Sequence, residues 1–459
     1  MNNTSNSFST LPLSDSMIHN LSELNYKSMT AIQKEALPLI LENNDVIAQA
    51  KTGSGKTAAF GIGILDNLDV KKFRIQSLIL CPTRELADQV TKELRRLARM
   101  THNIKILTLC GGAAFGPQLG SLRHGAHIVV GTPGRIMKHL DKESLNLDDI
   151  STFVLDEADR MLDMGFIEDI EKILSFMPKE RQTLLFSATY PDEIESLSKK
   201  IQKDAITIKT AMIEETNLIE EFFYEIETND KVSVLVDVFA HFKKDRAIVF
   251  CNTKIEAQEV AKALYYKNID ALAIHGDLEQ YERSDVLVQF DNYSCSVLVA
   301  TDVAARGLDI KELDMVINYD MPHDEAIYTH RIGRTGRAGE KGLSVSLFTS
   351  DQARDTQNYE NGTRLFESSK ILKSDKNFKM MPKNSTLVIE GGKKDKVRAG
   401  DLLGALTGDA GIDGNSVGKI NIFDKQAYVA IDKKESNKAL ARLKDGKIKG
   451  RKFSVWMLN

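Results

Sequence analysis

The sequence has little that would mark a secreted, membrane-spanning or zinc-binding protein. It holds four cysteines, Cys81, Cys110, Cys251 and Cys295, and their spacing does not match a metal site. No apolar run is long enough to cross a membrane, and the polar first fifteen residues lack the apolar core of a signal peptide. We therefore expect a cytoplasmic protein with reduced thiols and no membrane partner.

The formal net charge is small, at −4, but it is unevenly distributed. From Lys383 to Asn459 there are 16 Lys and Arg against 9 Asp and Glu, which gives +7, and the rest of the chain carries −11. A basic C-terminal block on an acidic body predicts a separate module with a polyanionic partner. The sequence contains no heptad pattern for dimerisation, so we expect a monomer.

Apolar runs typical of buried strands alternate with amphipathic stretches in two successive parts of the chain. This alternation predicts two α/β domains with parallel sheets, at residues 1–209 and 231–365. The block at 383–459 follows the order strand, helix, strand, strand, helix, strand, which is typical of ferredoxin-like α+β domains, including RNA-recognition domains. We predict linkers at 210–230 and 366–382.

A Gly-Ser-Gly-Lys-Thr run follows the apolar stretch Val46–Ala48 and predicts a phosphate-binding loop. Lys56 is expected to reach the β- and γ-phosphates of a nucleotide, and the Thr57 hydroxyl is expected to bind Mg²⁺. The first glycine of the usual motif is replaced by Ala50, and the alternative is a flexible loop with a chance match. The candidate loop residues are Ala50, Lys51, Thr52, Gly53, Ser54, Gly55, Lys56 and Thr57.

A second candidate element of the same site is the acidic pair that ends the apolar run Val154–Leu155. Asp156 is expected to hold Mg²⁺, partly through water, and Glu157 to orient or deprotonate the attacking water. The alternative is a solvated acidic turn. Because a phosphate loop and an acidic pair follow strands of one predicted domain, a joint site is the stronger hypothesis.

These two elements belong to a longer ordered series of motifs that resembles the DEAD-box ATP-dependent RNA helicases. The resemblance spans both predicted α/β domains and implies that both are RecA-like and that the cofactors are ATP and Mg²⁺. The motifs are AKTGSGKT, PTRELADQ (82–89), Gly111–Gly112, TPGR (132–135), DEAD (156–159), SAT (187–189), VFCNT (249–253), ATDVAARGLDI (300–310) and HRIGRTGRAG (330–339).

The family implies an adenine-binding segment near the N-terminus. Phe8 matches the stacking aromatic residue and Gln33 the amide that reads the base. The neighbouring residues Asn25, Met29 and Ala31 depart from the usual Gly, Pro and Pro. Without this spacing, Phe8 would be interpreted as an ordinary packed aromatic residue.

The resemblance also implies catalytic arginines in the second domain. Arg334 and Arg337 match the fingers that reach the γ-phosphate, and a planar guanidinium suits the charge that develops in phosphoryl transfer. For Arg331 a surface position without function is an open alternative. Asp309 matches a ribose contact, and Ser187 and Thr189 match residues that couple ATP state to domain closure, with a structural turn as their alternative.

RNA contacts are implied at motif positions in both domains. These residues are mostly backbone donors, hydroxyls and arginines, a surface suited to phosphate and 2′-OH contacts without base recognition. Any one of them alone could be an ordinary turn residue. The expected contacts are Pro82, Thr83, Arg84, Gly112, Thr132, Pro133 and Arg135 in the first domain and Thr253, Gly276, Thr301 and Arg306 in the second.

The stretch Gly391–Gly414 resembles the RNA-binding domain of the DbpA-type helicases, which implies a hairpin of 23S ribosomal RNA as its target. The outward sheet positions Val388, Gln426 and Tyr428 hold a single aromatic residue, so stacking on the sheet should be weak. We expect RNA binding by Lys393, Lys394, Lys396 and Arg398, and by a second set at Lys447, Lys449, Arg451 and Lys452; solvated lysines are the alternative.

The leading hypothesis is an RNA-dependent ATPase and ATP-dependent RNA helicase that remodels RNA in assembly intermediates of the large (50S) ribosomal subunit. The alternatives are an ATP-gated RNA clamp, which a strand-separation assay would distinguish, and a general mRNA-remodelling helicase. DNA is not an expected partner.

Overall fold

A computed structural model describes residues 6–50, 53–209, 219–227, 230–305, 313–322, 324–336, 341–350, 352, 365–375, 377–408 and 411–458. Its contacts divide these residues into two compact units. The first unit contains one seven-stranded sheet, and the second contains another seven-stranded sheet and a four-stranded sheet.

The sheet of the first unit is parallel, in the order β3-β4-β2-β5-β6-β1-β7. Its strands are β1 (Val46–Gln49), β2 (Ser77–Leu80), β3 (Ile106–Leu109), β4 (Ile128–Gly131), β5 (Thr152–Asp156), β6 (Gln182–Ser187) and β7 (Ile206–Lys209). The helices are α1 (Asp15–Glu23), α2 (Ala31–Leu41), α3 (Lys56–Asp66), α4 (Arg84–Leu97), α5 (Phe115–Arg123), α6 (Pro133–Leu140), α7 (Ala158–Asp163), α8 (Ile167–Leu174) and α9 (Asp192–Ile201).

The central strands of this sheet are apolar along their whole length because both faces are covered. Every residue of β2, β4, β5 and β6 is buried. One apolar core contains α2, α3 and α4, and a second contains α6, α7 and α8. The polar motif residues therefore lie beyond the strand ends, where parallel sheets bind ligands.

The second unit begins with a parallel sheet in the order β10-β11-β9-β12-β13-β8-β14. Its strands are β8 (Ile219–Ile226), β9 (Ala247–Cys251), β10 (Ala271–Ile274), β11 (Val297–Thr301), β12 (Met315–Asn318), β13 (Gly342–Thr349) and β14 (Leu365–Ser368). Its helices are α10 (Lys231–Phe242), α11 (Lys254–Tyr266), α12 (Gln280–Asp291), α13 (Asp302–Ala305) and α14 (Glu325–Ile332). We call this part of the unit domain 2.

The prediction of a linker over 210–230 is wrong for Ile219–Ile226, which forms β8 within the second sheet. The glutamates of this stretch hid the strand, because Phe223, at 0% exposure, and Tyr224 are buried between them. The prediction of a linker over 366–382 is also wrong in part. β14 pairs with β8, and Leu372 and Met380 pack in the core of domain 2.

The third sheet is antiparallel, in the order β16-β17-β15-β18, and two helices pack on one of its faces. We call it the C-terminal module. Its elements are β15 (Asn384–Ile389), α15 (Ala399–Thr407), β16 (Val417–Ile422), β17 (Ala427–Asp432), α16 (Ser436–Asp445) and β18 (Val455–Met457). Two parallel RecA-like sheets followed by this βαββαβ module confirm the predicted fold class.

The other face of the module's sheet packs against domain 2 within the second unit. Val388 and Tyr428 are register partners on β15 and β17, and both pack against Val288 of α12. The Tyr428 hydroxyl donates to Asp285 Oδ1 at 2.8 Å. Because Val388 and Tyr428 are 1% and 4% exposed, these two positions of the face are closed to a nucleobase.

Polar contacts extend the same interface. The side-chain Nδ2 of Asn384 donates to the Asn292 carbonyl at 2.9 Å, and the Ser294 and Thr386 hydroxyls are 2.7 Å apart.

In the part of the chain that the structure describes, we find no helix with the length and apolar character that a membrane span requires.

Candidate functional site

The phosphate loop connects β1 to α3 in the first unit. Gly53 and Gly55 have φ angles of 86° and 96°, a region that residues with a side chain rarely adopt. A Cβ at Gly55 would lie 2.5 Å from Gln33 Nε2, so a side chain here would displace the Gln33 amide. The Lys56 ammonium donates to the Ala50 carbonyl at 2.8 Å, and Thr57 is half-buried in the first turn of α3. Lys51 and Thr52 lie outside the described residues.

Asp156 ends β5 and is 2% exposed. Burial raises the pKa of Asp156 to about 7, an effect that nearby Lys56 opposes. Its Oδ1 atom is buried and makes no hydrogen bond to any described residue. A buried carboxylate oxygen without a donor, close to the phosphate-loop lysine, fits a Mg²⁺ site, and Asp156 and Thr57 are the residues that would hold the ion.

Glu157 joins β5 to α7 in the left-handed region, with φ of 56°, and is 5% exposed. A left-handed conformation at a residue other than glycine is costly and is often found at functional positions. Two residues later, Asp159 Oδ2 accepts hydrogen bonds from the Thr189 backbone amide at 2.9 Å and the Thr189 hydroxyl at 3.0 Å. The Asp159 amide donates to Ser187 Oγ at 3.2 Å, so the two motifs are directly connected.

Gln33 contacts the phosphate loop from α2. Its amide nitrogen donates to the Gly55 carbonyl at 3.1 Å, and its amide oxygen accepts from the Thr30 amide at 2.9 Å. Phe8 is 4% exposed and contacts Tyr26 edge to face at 6.1 Å. Asn25 has φ of 63°, which explains how asparagine replaces the usual glycine there, since asparagine tolerates this conformation.

The two other departures in this segment also fit the fold. Met29 is buried in the core of the first unit, at 6% exposure. Ala31 is the first residue of α2, a position that favours proline but accepts alanine without strain.

The expected RNA-binding residues of the first unit converge at one edge of its sheet, after β2, β3 and β4. Arg84 donates to the Gly111 carbonyl at 3.4 Å. Arg135 donates to the Ala113 carbonyl at 3.0 Å and to Gln118 Oε1 at 2.7 Å. These contacts connect three segments, Pro82–Arg84, Gly112 and Thr132–Arg135, and we call the predicted RNA-binding residues of the two α/β domains the RNA track. The Thr83 hydroxyl caps α4 by accepting from the Leu86 amide at 3.3 Å.

In domain 2, Thr253, Gly276 and Thr301 follow or end β9, β10 and β11, which are neighbours in the order β10-β11-β9. Thr253 caps α11 by accepting from the Glu256 amide at 3.2 Å, as Thr83 does for α4. The expected residues Arg306, Asp309 and Arg337 lie outside the described residues.

Arg331 is 1% exposed, so the alternative of a surface position is wrong. Its guanidinium makes two hydrogen bonds to the Asp302 carboxylate, both at 2.7 Å, and donates to Asn252 Oδ1 at 2.9 Å. It also donates to the Asp320 carbonyl at 2.6 Å. Arg331 therefore connects the motif segments that contain Asn252 and Asp302 to its own segment in α14. Arg334, which is 5% exposed, lies one helical turn after Arg331.

In the C-terminal module, both sets of expected basic residues are exposed on neighbouring loops. Lys449 Nζ donates to the Lys396 carbonyl at 3.2 Å, and both residues have left-handed backbones, with φ of 52° and 61°. The exposed residues are Lys393, Lys394, Lys396, Arg398, Lys447, Lys449, Arg451 and Lys452.

Comparison with known proteins identifies the family. Residues 30–197 match the DEAD/DEAH box helicase model, residues 230–339 the helicase conserved C-terminal domain and residues 386–456 the DbpA RNA binding domain. The chain is 48% identical to the ATP-dependent RNA helicase DbpA of Escherichia coli, over 98% of this chain and 99% of that protein.

The chain belongs to the DEAD-box ATP-dependent RNA helicases of DbpA type.

Two further likenesses of this DEAD-box helicase cover less of the chain. ATP-dependent RNA helicase CshA of Limosilactobacillus reuteri is 43% identical over 78% of this chain and 72% of its own length. The structure of Saccharomyces cerevisiae Dbp5 bound to RNA and ADP BeF3 has a TM-score of 0.71 and 30% identity, and covers 79% of this chain and 96% of Dbp5. Both likenesses support ATP-dependent action on RNA by the core.

The sequence did not show which residues hold the predicted site residues in place. Gln118, Asp302 and Asn252 hold arginines in place. Asn252 and Asp302 lie inside the motifs VFCNT and ATDVAARGLDI, at positions that had no predicted role. Asp285 and Asn292, which contact the C-terminal module, had no sequence signal because a surface helix normally carries such residues.

Proposed function

We propose that this helicase recognises a hairpin of 23S ribosomal RNA through its C-terminal module and remodels RNA during assembly of the 50S subunit. It would act as a monomer with ATP and Mg²⁺. The observation that carries this proposal is the exposure of eight Lys and Arg side chains on two adjoining loops of a module that matches the DbpA RNA binding domain. The near full-length similarity to DbpA of Escherichia coli supports the same function.

The α/β domains and the C-terminal module are expected to have different roles because their surfaces differ. The RNA track offers hydroxyls, backbone donors and arginines, which bind phosphate and sugar without reading base sequence. Choice of an RNA must then come from another part of the chain, and a structured hairpin suits loops that present charge in a fixed arrangement. A general mRNA-remodelling role would not require such a module.

In the catalytic core, Lys56 would bind the β- and γ-phosphates, and Phe8 and Gln33 would bind adenine. Mg²⁺ held by Thr57 and Asp156 would neutralise charge on the transferred phosphoryl group. Glu157 would orient and deprotonate the attacking water. Arg334 and Arg337 would stabilise the transition state.

Replacement of Lys393, Lys394 and Lys396 together by alanine tests the proposal in the intact chain. We expect weaker hairpin binding and a salt dependence whose log–log slope falls by about 0.7–0.9 for each lost phosphate contact. The measurement is hairpin affinity by fluorescence anisotropy at several salt concentrations. The control replaces Lys172, Lys199 and Lys200 in the first unit, which pair with acidic residues there. An unchanged slope in the module variant would contradict the proposal.

A further inference from the structure

The C-terminal module needs a means of contacting bases, because lysines alone bind phosphates without distinguishing one base from another. Modules of this topology usually stack bases on aromatic residues of the open sheet face. Here that face is occupied by domain 2. Tyr428 donates to Asp285, Val388 packs on Val288, and the side-chain Nδ2 of Asn421 donates to Asn292 Oδ1 at 3.2 Å.

Phe423 is an exposed aromatic residue just beyond this closed face. It follows β16 and is 41% exposed. Its ring makes an edge-to-face contact with Tyr428, with centroids 5.4 Å apart and planes at 84°. Since Tyr428 is itself fixed by Asp285, the Phe423 ring is held in place at the margin of the interface.

Phe423 is also joined to the basic loop by backbone hydrogen bonds. The Lys393 amide donates to the Phe423 carbonyl at 2.8 Å, and the Lys394 amide donates to the Asp424 carbonyl at 3.0 Å. A Cβ at Gly392 would lie 2.4 Å from the Phe423 carbonyl oxygen, so the close approach of the two segments requires glycine. The backbone segments that carry the ring and the two lysines therefore have a fixed spacing.

We propose that Phe423 is the base-stacking residue of the C-terminal module, taking an unpaired base of the hairpin while Lys393 and Lys394 contact neighbouring phosphates. This inference rests on the proposed function and adds to it a contact with a base. A held aromatic ring contributes stacking at low entropic cost, and this contribution does not depend on salt. The rival residue is Trp456, 37% exposed on the edge strand β18.

The test uses the full chain and a 23S rRNA hairpin with 2-aminopurine at each unpaired loop position in turn. We expect Phe423→Leu to weaken hairpin binding by roughly 5- to 150-fold and to remove the 2-aminopurine quenching at one position. The leucine retains the apolar contact with Tyr428, and Phe423→Tyr, which retains the ring, should bind normally. The salt slope should stay at the parent value, because no phosphate contact is lost.

Two controls separate the possible outcomes. Phe176→Ala, at a residue 46% exposed in the first unit, should leave hairpin binding unchanged. Parent-like affinity of Phe423→Leu, or a loss of affinity in Trp456→Ala instead, would overturn the assignment of Phe423. A parent protein that does not prefer the hairpin to generic RNA would overturn the proposed function itself.

Discussion

At the scale of single residues, Glu157 combines a predicted catalytic role with an unusual backbone conformation. It lies between β5 and α7, next to Asp156, and its backbone is in the left-handed region. The sequence identified the residue from the acidic pair after a strand. The strained backbone was not predictable, because φ depends on the turn that the surrounding fold imposes.

Replacing Glu157 by glutamine should stop turnover while ATP and RNA remain bound. The amide keeps the shape of the side chain but cannot accept the proton of the attacking water. The measurement combines single-turnover ATP hydrolysis with the dissociation rate of labelled RNA, and we expect a long-lived complex. Glu143→Gln, at an exposed residue of the same unit, is the matched control. Fast RNA release with ATP present would argue against Glu157 as the base.

Asp156 should give the metal-free protein an unusual pH dependence of stability. Its pKa is raised to about 7 from 3.8, so between these values the folded state binds more protons than the unfolded state. The contribution of this group to the free energy of unfolding is therefore fully present below pH 3.8 and is lost as pH rises towards 7.

We expect Asp156→Asn to be more stable than the parent protein at pH 8 in EDTA, with a gain that shrinks as pH falls towards 4. The neutral amide avoids the cost of burying a charge at high pH. Thermal denaturation across this pH range, with Asp148→Asn as an exposed control, provides the measurement. A gain that grows as pH falls would mean that the pKa of Asp156 is lowered.

At the scale of elements, the alternating apolar runs predicted most strands of the two parallel sheets, because strands buried on both faces are apolar throughout. The same rule failed for β8, where glutamates flank Phe222, Phe223 and Tyr224 on both sides. β14 is short and half exposed, so it carries little apolar signal. Pairing with distant strands, rather than local composition, determines both elements.

The assignment of β8 to the fold predicts a large effect of Phe223→Ala. Phe223 is fully buried and stacks on Phe366 of β14, with ring centroids 4.6 Å apart. Loss of such a side chain costs about 3–5 kcal/mol of unfolding free energy. Denaturant unfolding followed by hydrogen exchange in domain 2 would measure it, with the exposed Phe176→Ala as control. A change below about 1 kcal/mol would contradict a core role for β8.

At the scale of the whole molecule, the C-terminal module is a structural part of the second unit as well as a candidate RNA-binding surface. The sequence predicted its topology and its basic loops, since both are local properties of the chain. It could not predict that Val388 and Tyr428 pack on α12, because apolar residues on a sheet face fit RNA binding and protein packing equally well. This packing fixes which surface of the module is left for RNA.

Removal of residues 383–459 should separate specificity from catalysis. The core retains the phosphate loop, the acidic pair and the RNA track, so we expect hydrolysis to be stimulated by high concentrations of generic RNA. The preference for ribosomal RNA that carries the hairpin should disappear, because we expect the core surface to contact only phosphate and sugar. The measurement is ATPase rate against RNA concentration, with and without the hairpin, for both proteins. Val288→Ser in the truncated chain replaces an apolar side chain that the deletion uncovers, so that stimulation by generic RNA reports a folded core. A truncated protein that still prefers the hairpin would place specificity in the core and contradict the role proposed for the module.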